Sequence, residues 1–149
     1  MSDEQPFVKP NAVDRLFNRV FGWLVGLGLG LPHNYLLEVR GRKSGRTYAM
    51  PVDVLTHGDT RYLVAPRGRT QWVRNAEASG RVTLKKGSRR AEYQLRALGD
   101  EEKPAVLKAY LDRFRLTVQR YFPLPAGSPV NDFVSLAARY PVFELIPSP

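Results

Sequence analysis

The sequence has 149 residues, of which 43% are hydrophobic and 25% charged, so its size and composition are typical of one globular domain rather than a disordered chain. It contains no cysteine and two histidines, which excludes disulfides, thiolate metal sites, cysteine nucleophiles and a histidine-rich metal centre. The net charge is +9, and residues 38–96 carry 14 Lys and Arg against five Asp and Glu, whereas the rest carries nine of each sign. Such a segment is either a solvated positive surface or a binding surface for a nucleic acid, an anionic membrane or a small polyanion.

The N-terminal part of the chain changes character twice. Residues 1–10 are polar with two prolines and are predicted to be a flexible arm, followed by a single domain over residues 11–149. Within residues 11–32, an amphipathic helix is predicted first, and an uncharged run with four glycines (21–32) follows it. That run is shorter than the roughly 20 residues that span a bilayer, so we expect an apolar lid, with peripheral membrane contact left open. The acidic start and the lack of cysteine favour a cytoplasmic location.

Six short strands are predicted, most of them in the positively charged segment: residues 34–39, 47–56, 60–65, 81–86, 89–98 and 142–146. Pro51 interrupts the second strand, which indicates an edge or a bulge. Helices are predicted over residues 71–79, with Thr70 as N-cap and Gly80 as its end, over 100–121 and over 130–138. Strands that do not alternate regularly with helices disfavour a doubly wound sheet. The pattern predicts a small antiparallel barrel flanked by helices.

The sequence does not indicate catalysis by side chains alone. A nucleophilic triad would need His33 or His57, and neither has a convincing setting. The acidic residues of the positive segment are scattered singly, so no pair of carboxylates is predicted to share a face. No proton donor is evident, although Tyr121 and Tyr140 are candidates.

Two loops have features of anion-binding sites. The first, Gly41-Arg-Lys-Ser-Gly-Arg46, combines two glycines with cationic and hydroxyl side chains, and exposed backbone amides in such a turn can bind phosphate. The second, Pro66-Arg-Gly-Arg-Thr70, precedes the N-terminus of the predicted helix 71–79, which also favours an anion. Trp72 in the first turn of that helix is predicted either to stack on a ring or to plug the barrel.

These loops resemble a known family when they are taken in order. Gly41-Arg-Lys-Ser-Gly-Arg46, Val64-Ala-Pro-Arg-Gly68 and Trp72-Val-Arg-Asn75, followed by Ser79-Gly-Arg-Val82, are similar to motifs of the deazaflavin (F420)-dependent nitroreductases. The resemblance covers about residues 36–98, with weaker agreement over 131–149. It implies the split β-barrel of the flavin and deazaflavin oxidoreductases and coenzyme F420, whose phosphate and several glutamates fit the charge of this segment.

The resemblance also implies a set of site residues. The cofactor's phosphate and oligoglutamate tail would contact Arg42, Lys43 and Ser44, and its ring would be lined by Tyr48, Ala49, Met50, Pro51, Val52 and Asp53. The ring and phosphoryl linker would meet Ala65, Pro66, Arg67 and Gly68, and the site would be closed by Gln71, Trp72, Val73, Arg74 and Asn75. The substrate is expected to contact Trp23, Leu27, Val130 and Phe133.

The expected activity is hydride transfer from reduced F420 to a small, largely apolar acceptor such as a quinone, an enone or a nitro compound. Residues 127–136 lack the tyrosines that frame the substrate of the best-known nitroreductases in the family, which favours an apolar acceptor. Two alternatives stay open: an FMN-binding oxidoreductase of the same fold, and a non-catalytic protein that binds lipid or a membrane surface. Neither a metal nor a nucleic-acid partner is expected, and the chain is expected to be a monomer or a homodimer.

Overall fold

The computed structural model describes residues 32–149, and seven strands of this part form one antiparallel sheet. The strands are β1 (Asn34–Arg40), β2 (Thr47–Asp53), β3 (Leu55–His57), β4 (Thr60–Val64), β5 (Arg81–Lys86), β6 (Arg89–Ala97) and β7 (Val142–Pro147). The helices are α1 (Gln71–Ser79) and α2 (Lys103–Val118), with 3-10 turns at Asp100–Glu102, Gln119–Tyr121 and Val130–Arg139. The order of the strands in the sheet is β2-β1-β5-β6-β7-β4-β3.

One bent segment closes this sheet into a barrel. β2 and β3 lie at opposite ends of the strand order, yet Val54 alone separates them in the chain. The backbone N–H of Val54 donates to the carbonyl of His33 at 2.9 Å, which extends the ladder between β1 and β2 by one residue. Leu55 then pairs with Tyr62 of β4. The two edges of the sheet therefore meet at Val54, and the predicted split barrel is confirmed.

Two hydrophobic cores lie on opposite faces of the sheet. Since successive side chains of a strand point to opposite faces, Leu63 packs inside the barrel while its neighbour Val64 packs against the helices. The barrel core takes Val73 and Ala76 from α1. The second core takes five apolar residues from α2, whose three- and four-residue spacing puts them on one helix face: Leu107, Tyr110, Leu111, Phe114 and Val118. α1 and α2 are thus fixed on the two sides of the sheet.

Most predicted elements are confirmed, and three details differ. The segment from Thr47 to His57 continues through Pro51, which pairs opposite Leu36 on an edge strand, and it bends at Val54 instead. The predicted helix over 130–138 is a 3-10 helix, and the predicted helix over 100–121 is helical in three consecutive pieces. The ends of α1 agree with the sequence, since Gly80 has φ +71° and its N–H donates to the carbonyl of Ala76 at 2.8 Å.

The arm over residues 1–10, the helix and lid over 11–32, and the substrate contacts Trp23 and Leu27 fall outside the described residues, apart from Pro32. Between Pro32 and the C-terminus, no helix has the length and apolar character that crossing a membrane would require.

Candidate functional site

The candidate site lies where β2 and β4 separate. If the register between β3 and β4 continued, Val52 would lie opposite Ala65, but the described part of β2 pairs with β1 alone. Met50, Val52 and Ala65 nevertheless pack in the same barrel core. Two of the sequence-predicted segments, 48–53 and 65–68, therefore face each other across the split, and one of them offers a strand edge without a partner strand among residues 32–149.

The loop after β1 is held in a closed turn. The N–H of Gly41 donates to the carbonyl of Arg46 at 2.7 Å, and the N–H of Gly45, which has φ +74°, donates to the carbonyl of Gly41 at 3.0 Å. A Cβ at Gly41 would lie 2.5 Å from Cε2 of Tyr48, so glycine there lets the Tyr48 ring pack against the turn. The Ser44 hydroxyl accepts from the N–H of Arg46 at 3.1 Å and lies 3.3 Å from the Tyr48 hydroxyl.

A contact between Arg42 and Asn75 joins this loop to α1. Asn75 is buried, with 6% of its surface exposed. Its Oδ1 accepts from the backbone N–H of Arg42 at 3.1 Å and from the Arg42 guanidinium at 2.7 Å. Two motifs that are 33 residues apart in the sequence are therefore fixed against each other, and the exposed Lys43 and Ser44 stand at the tip of the joined loop.

The second loop turns back at Gly68, which has φ +85°, and leads into α1. The N–H of Gly68 donates to the carbonyl of Ala65 at 3.2 Å, and the N–H of Thr70 donates to the carbonyl of Gly68 at 2.9 Å. Thr70 has the extended backbone of an N-cap, but its side chain forms no capping hydrogen bond, and its hydroxyl is buried without a partner. Thr70 thus occupies the N-cap position as predicted, but the predicted capping hydrogen bond from its side chain is absent from the described part of the chain.

Beside this loop lies a cavity of about 850 Å³. It is lined by five cationic residues and one acid: Arg67, Arg69, Arg74, Lys103, Arg139 and Glu77. Glu77 pairs with Arg69, and Lys103 pairs with Asp100 at 3.2 Å outside the cavity. The other three arginines have no carboxylate partner in the described part of the chain. The Nε–H groups of Arg67 and Arg74 are buried and donate to no acceptor in that part either, so the cavity is strongly electropositive.

Sequence reasoning missed Lys103 and Arg139, which come from the helical side of the molecule. Lys103 is the first residue of α2 and is buried, with 7% of its surface exposed. The local signal for Lys103 is its i,i+3 spacing from Asp100, which is typical of an ion pair on a helix. Arg139 carried no such signal, because nothing local relates it to the loop 66–69.

The contacts of Asp53, at the end of β2, with Asn34 and His33 were also not predicted. Asp53 Oδ1 accepts from the Asn34 side-chain amide at 2.6 Å and lies 3.5 Å from His33 Nε2. Burial raises the pKa of Asp53 above its ordinary value of 3.8, while the attraction of His33 and the Asn34 hydrogen bond act in the opposite direction. The His33 ring packs 4.7 Å from that of Phe114, which fixes this end of β2 to α2.

The predicted site residues differ in how much surface they offer. The exposed ones are Lys43, Ser44, Tyr48, Ala49 and Gln71. The half-buried ones are Arg42, Met50, Pro51, Val52, Asp53, Pro66, Arg67, Gly68, Trp72 and Arg74. Ala65, Val73 and Asn75 are buried, and Val73 belongs wholly to the barrel core. The Trp72 ring packs on this core, 6.2 Å from the Phe143 ring.

The two described residues expected at the substrate differ in burial. Val130 is 40% exposed, whereas Phe133 has no exposed surface and packs in the core beside α2. Of the candidate proton donors, Tyr121 and Tyr140 both line the electropositive cavity. The Tyr140 hydroxyl donates to the carbonyl of Tyr121 at 2.6 Å, and burial raises its pKa.

Residues 32–149 contain no group of three or more His, Asp or Glu side chains that could hold a metal ion. The split, the two loops and the cavity instead offer backbone edges, amides and cations. Such an arrangement can hold a planar ring with an anionic extension.

Comparison with known proteins assigns a family to this arrangement. The sequence profile of the F420H(2)-dependent quinone reductases matches residues 13–119. A protein of unknown function from Agrobacterium tumefaciens str. C58 has a similar fold, with a TM-score of 0.58 and 17% sequence identity. The match covers 95% of this chain but only 58% of the length of that protein. No curated protein is similar enough in sequence to count as a relative.

Two further solved structures are similar. One is described as an F420-H2 dependent reductase, with a TM-score of 0.51 and 19% identity over 76% of this chain and 94% of that one. The other is described as a domain-swapped dimer, with a TM-score of 0.55 and 18% identity over 89% and 92% of the two chains. At identities this low, the structural similarity shows a common fold and nothing more.

Proposed function

The chain belongs to the F420H(2)-dependent quinone reductase family, and on that premise we propose that this F420-dependent oxidoreductase reduces a small, largely apolar acceptor such as a quinone. The resemblance to deazaflavin-dependent enzymes that the sequence motifs indicated is confirmed by the family match. When bound, reduced F420 supplies the hydride, and the protein binds and orients the reactants and excludes water.

The residues of the split fit this cofactor. A planar ring with polar edges can form hydrogen bonds with the strand edge over residues 48–53, which no strand of residues 32–149 pairs with, and Met50 and Ala65 supply apolar contact beside it. A phosphate fits the exposed donors of Lys43 and Ser44 on one side and Arg67 on the other. The buried and unpartnered Nε of Arg67 supports this assignment, because a guanidinium in such a place is stabilised by an anion.

The observation that carries the proposal is the contact between Arg42 and Asn75. It fixes the first loop against the helix that follows the second loop, so both anion-binding loops lie at the same end of the barrel in a fixed arrangement. A preformed site loses less conformational entropy when a ligand binds. Each exposed ion pair contributes up to about 1 kcal/mol, so several preformed pairs and burial of the ring are needed together.

The acceptor is assigned from the surroundings of the site. Val130 presents apolar surface on the 3-10 helix after α2, and residues 127–136 hold no tyrosine that would favour a polar substrate. Trp23 and Leu27 are also proposed to contact the acceptor, because they belong to the uncharged apolar run over residues 21–32. A homodimer is also proposed, since a protein of similar fold is described as a domain-swapped dimer.

The test is titration of the purified protein with F420 and with FMN, followed by fluorescence quenching. We expect F420 to bind more tightly, with an affinity that falls as salt rises and falls further in Lys43→Ala. Arg113→Ala, which removes one exposed charge from α2, is the matched control and is expected to bind F420 like the wild type. Oxidation of reduced F420 by a soluble quinone is then followed by absorbance. Preference for FMN, or binding of anionic vesicles with no binding of F420, would overturn the proposal.

A further inference from the structure

We propose that the electropositive cavity beside the second loop binds the carboxylates of the cofactor's oligoglutamate tail, with Arg139 as a determinant of tail binding. This inference rests on the proposed function. It assigns the tail to a different place from the one expected from the sequence, where Arg42, Lys43 and Ser44 served both the phosphate and the tail.

The contacts of Arg42 argue for this reassignment. Its guanidinium donates to Asn75 at 2.7 Å and is half-buried, so one of its donor groups is used in holding the loop. Lys43 and Arg46 remain as exposed cations of that loop, beside the Ser44 hydroxyl. Two exposed cations and a hydroxyl suffice for a phosphate, but a chain of several carboxylates needs more cations than this loop retains.

The cavity offers the missing positive charge. Arg67, Arg74 and Arg139 line it without a carboxylate partner among residues 32–149. Cations that are collected in one concave surface repel one another and raise the free energy of the empty site, and this repulsion is relieved when anions bind. The buried Nε atoms of Arg67 and Arg74, which lack hydrogen-bond partners, point to the same need.

The position of the cavity lets a chain reach it from the split. Residues 66–68 follow Ala65 directly and line the cavity, so the second loop borders both regions. On α1, Asn75 contacts the first loop while its neighbour Arg74 lines the cavity. Adjacent helix residues point about 100° apart, so α1 separates the phosphate region from the cavity and the second loop connects them.

The size and the walls of the cavity suit a flexible acidic chain. A volume of about 850 Å³ holds several carboxylate groups with their water. Lys103 is fixed in the wall by Asp100 at 3.2 Å and by the carbonyl of Ala137 at 3.0 Å, and therefore does not have to become ordered when the ligand binds. Arg139 is exposed at the rim, where its guanidinium lies 5.7 Å from the centre of the Tyr140 ring.

The experiment compares Arg139→Gln with Arg113→Gln. Both arginines are exposed, and Arg113 lies 5.5 Å from the Phe114 ring, so each substitution removes one charge and one arginine–aromatic contact. Dissociation constants are measured for three ligands: the deazaflavin riboside without phosphate, F420 without glutamates, and long-tailed F420. We expect Arg139→Gln to weaken only the long-tailed ligand, by about fivefold, which is what one exposed ion pair contributes. Arg139→Lys should restore most of the affinity.

Citrate, a small molecule with several carboxylates, tests separately whether the cavity binds carboxylates. In the wild type, it should weaken binding of long-tailed F420 and leave the riboside unchanged, with the effect on the long-tailed ligand reduced in Arg139→Gln. Equal effects of Arg139→Gln on all three ligands, or no effect on any, would overturn the inference while leaving the proposed function in place. If none of the three ligands binds the wild type, the proposed function itself fails.

Discussion

Replacing Asn75 by alanine tests whether the joined loop is needed for cofactor binding. The Asn75 side chain accepts two hydrogen bonds from Arg42, one from the backbone and one from the guanidinium. Alanine leaves the backbone N–H of Arg42 without this partner and frees the loop after β1. We therefore expect loss of both stability and cofactor affinity.

The size of the effect follows from the two bonds. The backbone bond contributes about 1 kcal/mol. The guanidinium bond is charge-assisted, but Arg42 is half-exposed and can bind water instead, so about 1 kcal/mol remains after that discount. Asn75→Ala should thus lower the free energy of unfolding by about 2 kcal/mol. The dissociation constant of F420 should rise about tenfold, because part of the binding energy is then used to order the loop.

Urea unfolding and fluorescence titration measure the two quantities. Gln119→Ala is the matched control, because the Gln119 amide also bridges two backbone groups, accepting from the N–H of Ala126 at 2.8 Å and donating to the carbonyl of Leu124 at 2.6 Å. It should lose similar stability and keep the wild-type affinity for F420. Asn75→Asp retains both acceptor bonds and should keep the fold. Wild-type affinity in a destabilised Asn75→Ala variant would refute the reasoning.

Two further predictions concern the packing of the acceptor side and the buried carboxyl. Phe133→Ala should lower the free energy of unfolding by about 3–5 kcal/mol, because the Phe133 side chain is fully buried. Val130→Ala should lower it by less than about 1 kcal/mol and should raise KM for an apolar quinone. A larger loss of stability in Val130→Ala than in Phe133→Ala would contradict this reasoning. Because burial raises the pKa of Asp53, its contribution to stability is complete below pH 3.8 and is lost as pH rises through the folded value. Glu102 and Asp112 have lowered pKa values and change stability in the opposite direction, so the quantity to compare is the free energy of urea unfolding of the wild type minus that of Asp53→Asn. This difference should fall as pH rises through the acid range, and a difference that does not change with pH would contradict the prediction.

Much of the local structure follows from the sequence alone. Alternating apolar residues located the strands to within a few residues, and Gly80 ended α1 with φ +71°. The loop after β1 was recognisable as a cationic turn because its two glycines and three cations are adjacent in the chain. These features depend on backbone conformation and residue order over a few positions, which the sequence states directly.

Contacts between distant segments were decided by the tertiary structure. The bend at Val54 closes the barrel, and no local pattern marks it, since Pro51 indicates only that its strand lies at an edge. The side of the 3-10 helix that buries Phe133 depends on where α2 lies. Likewise, the gathering of Arg139 with Arg67 around one cavity follows from the path of the chain between β6 and β7. Local periodicity fixes which face of an element is apolar, whereas the partners of that face are set by sheet closure and long-range packing.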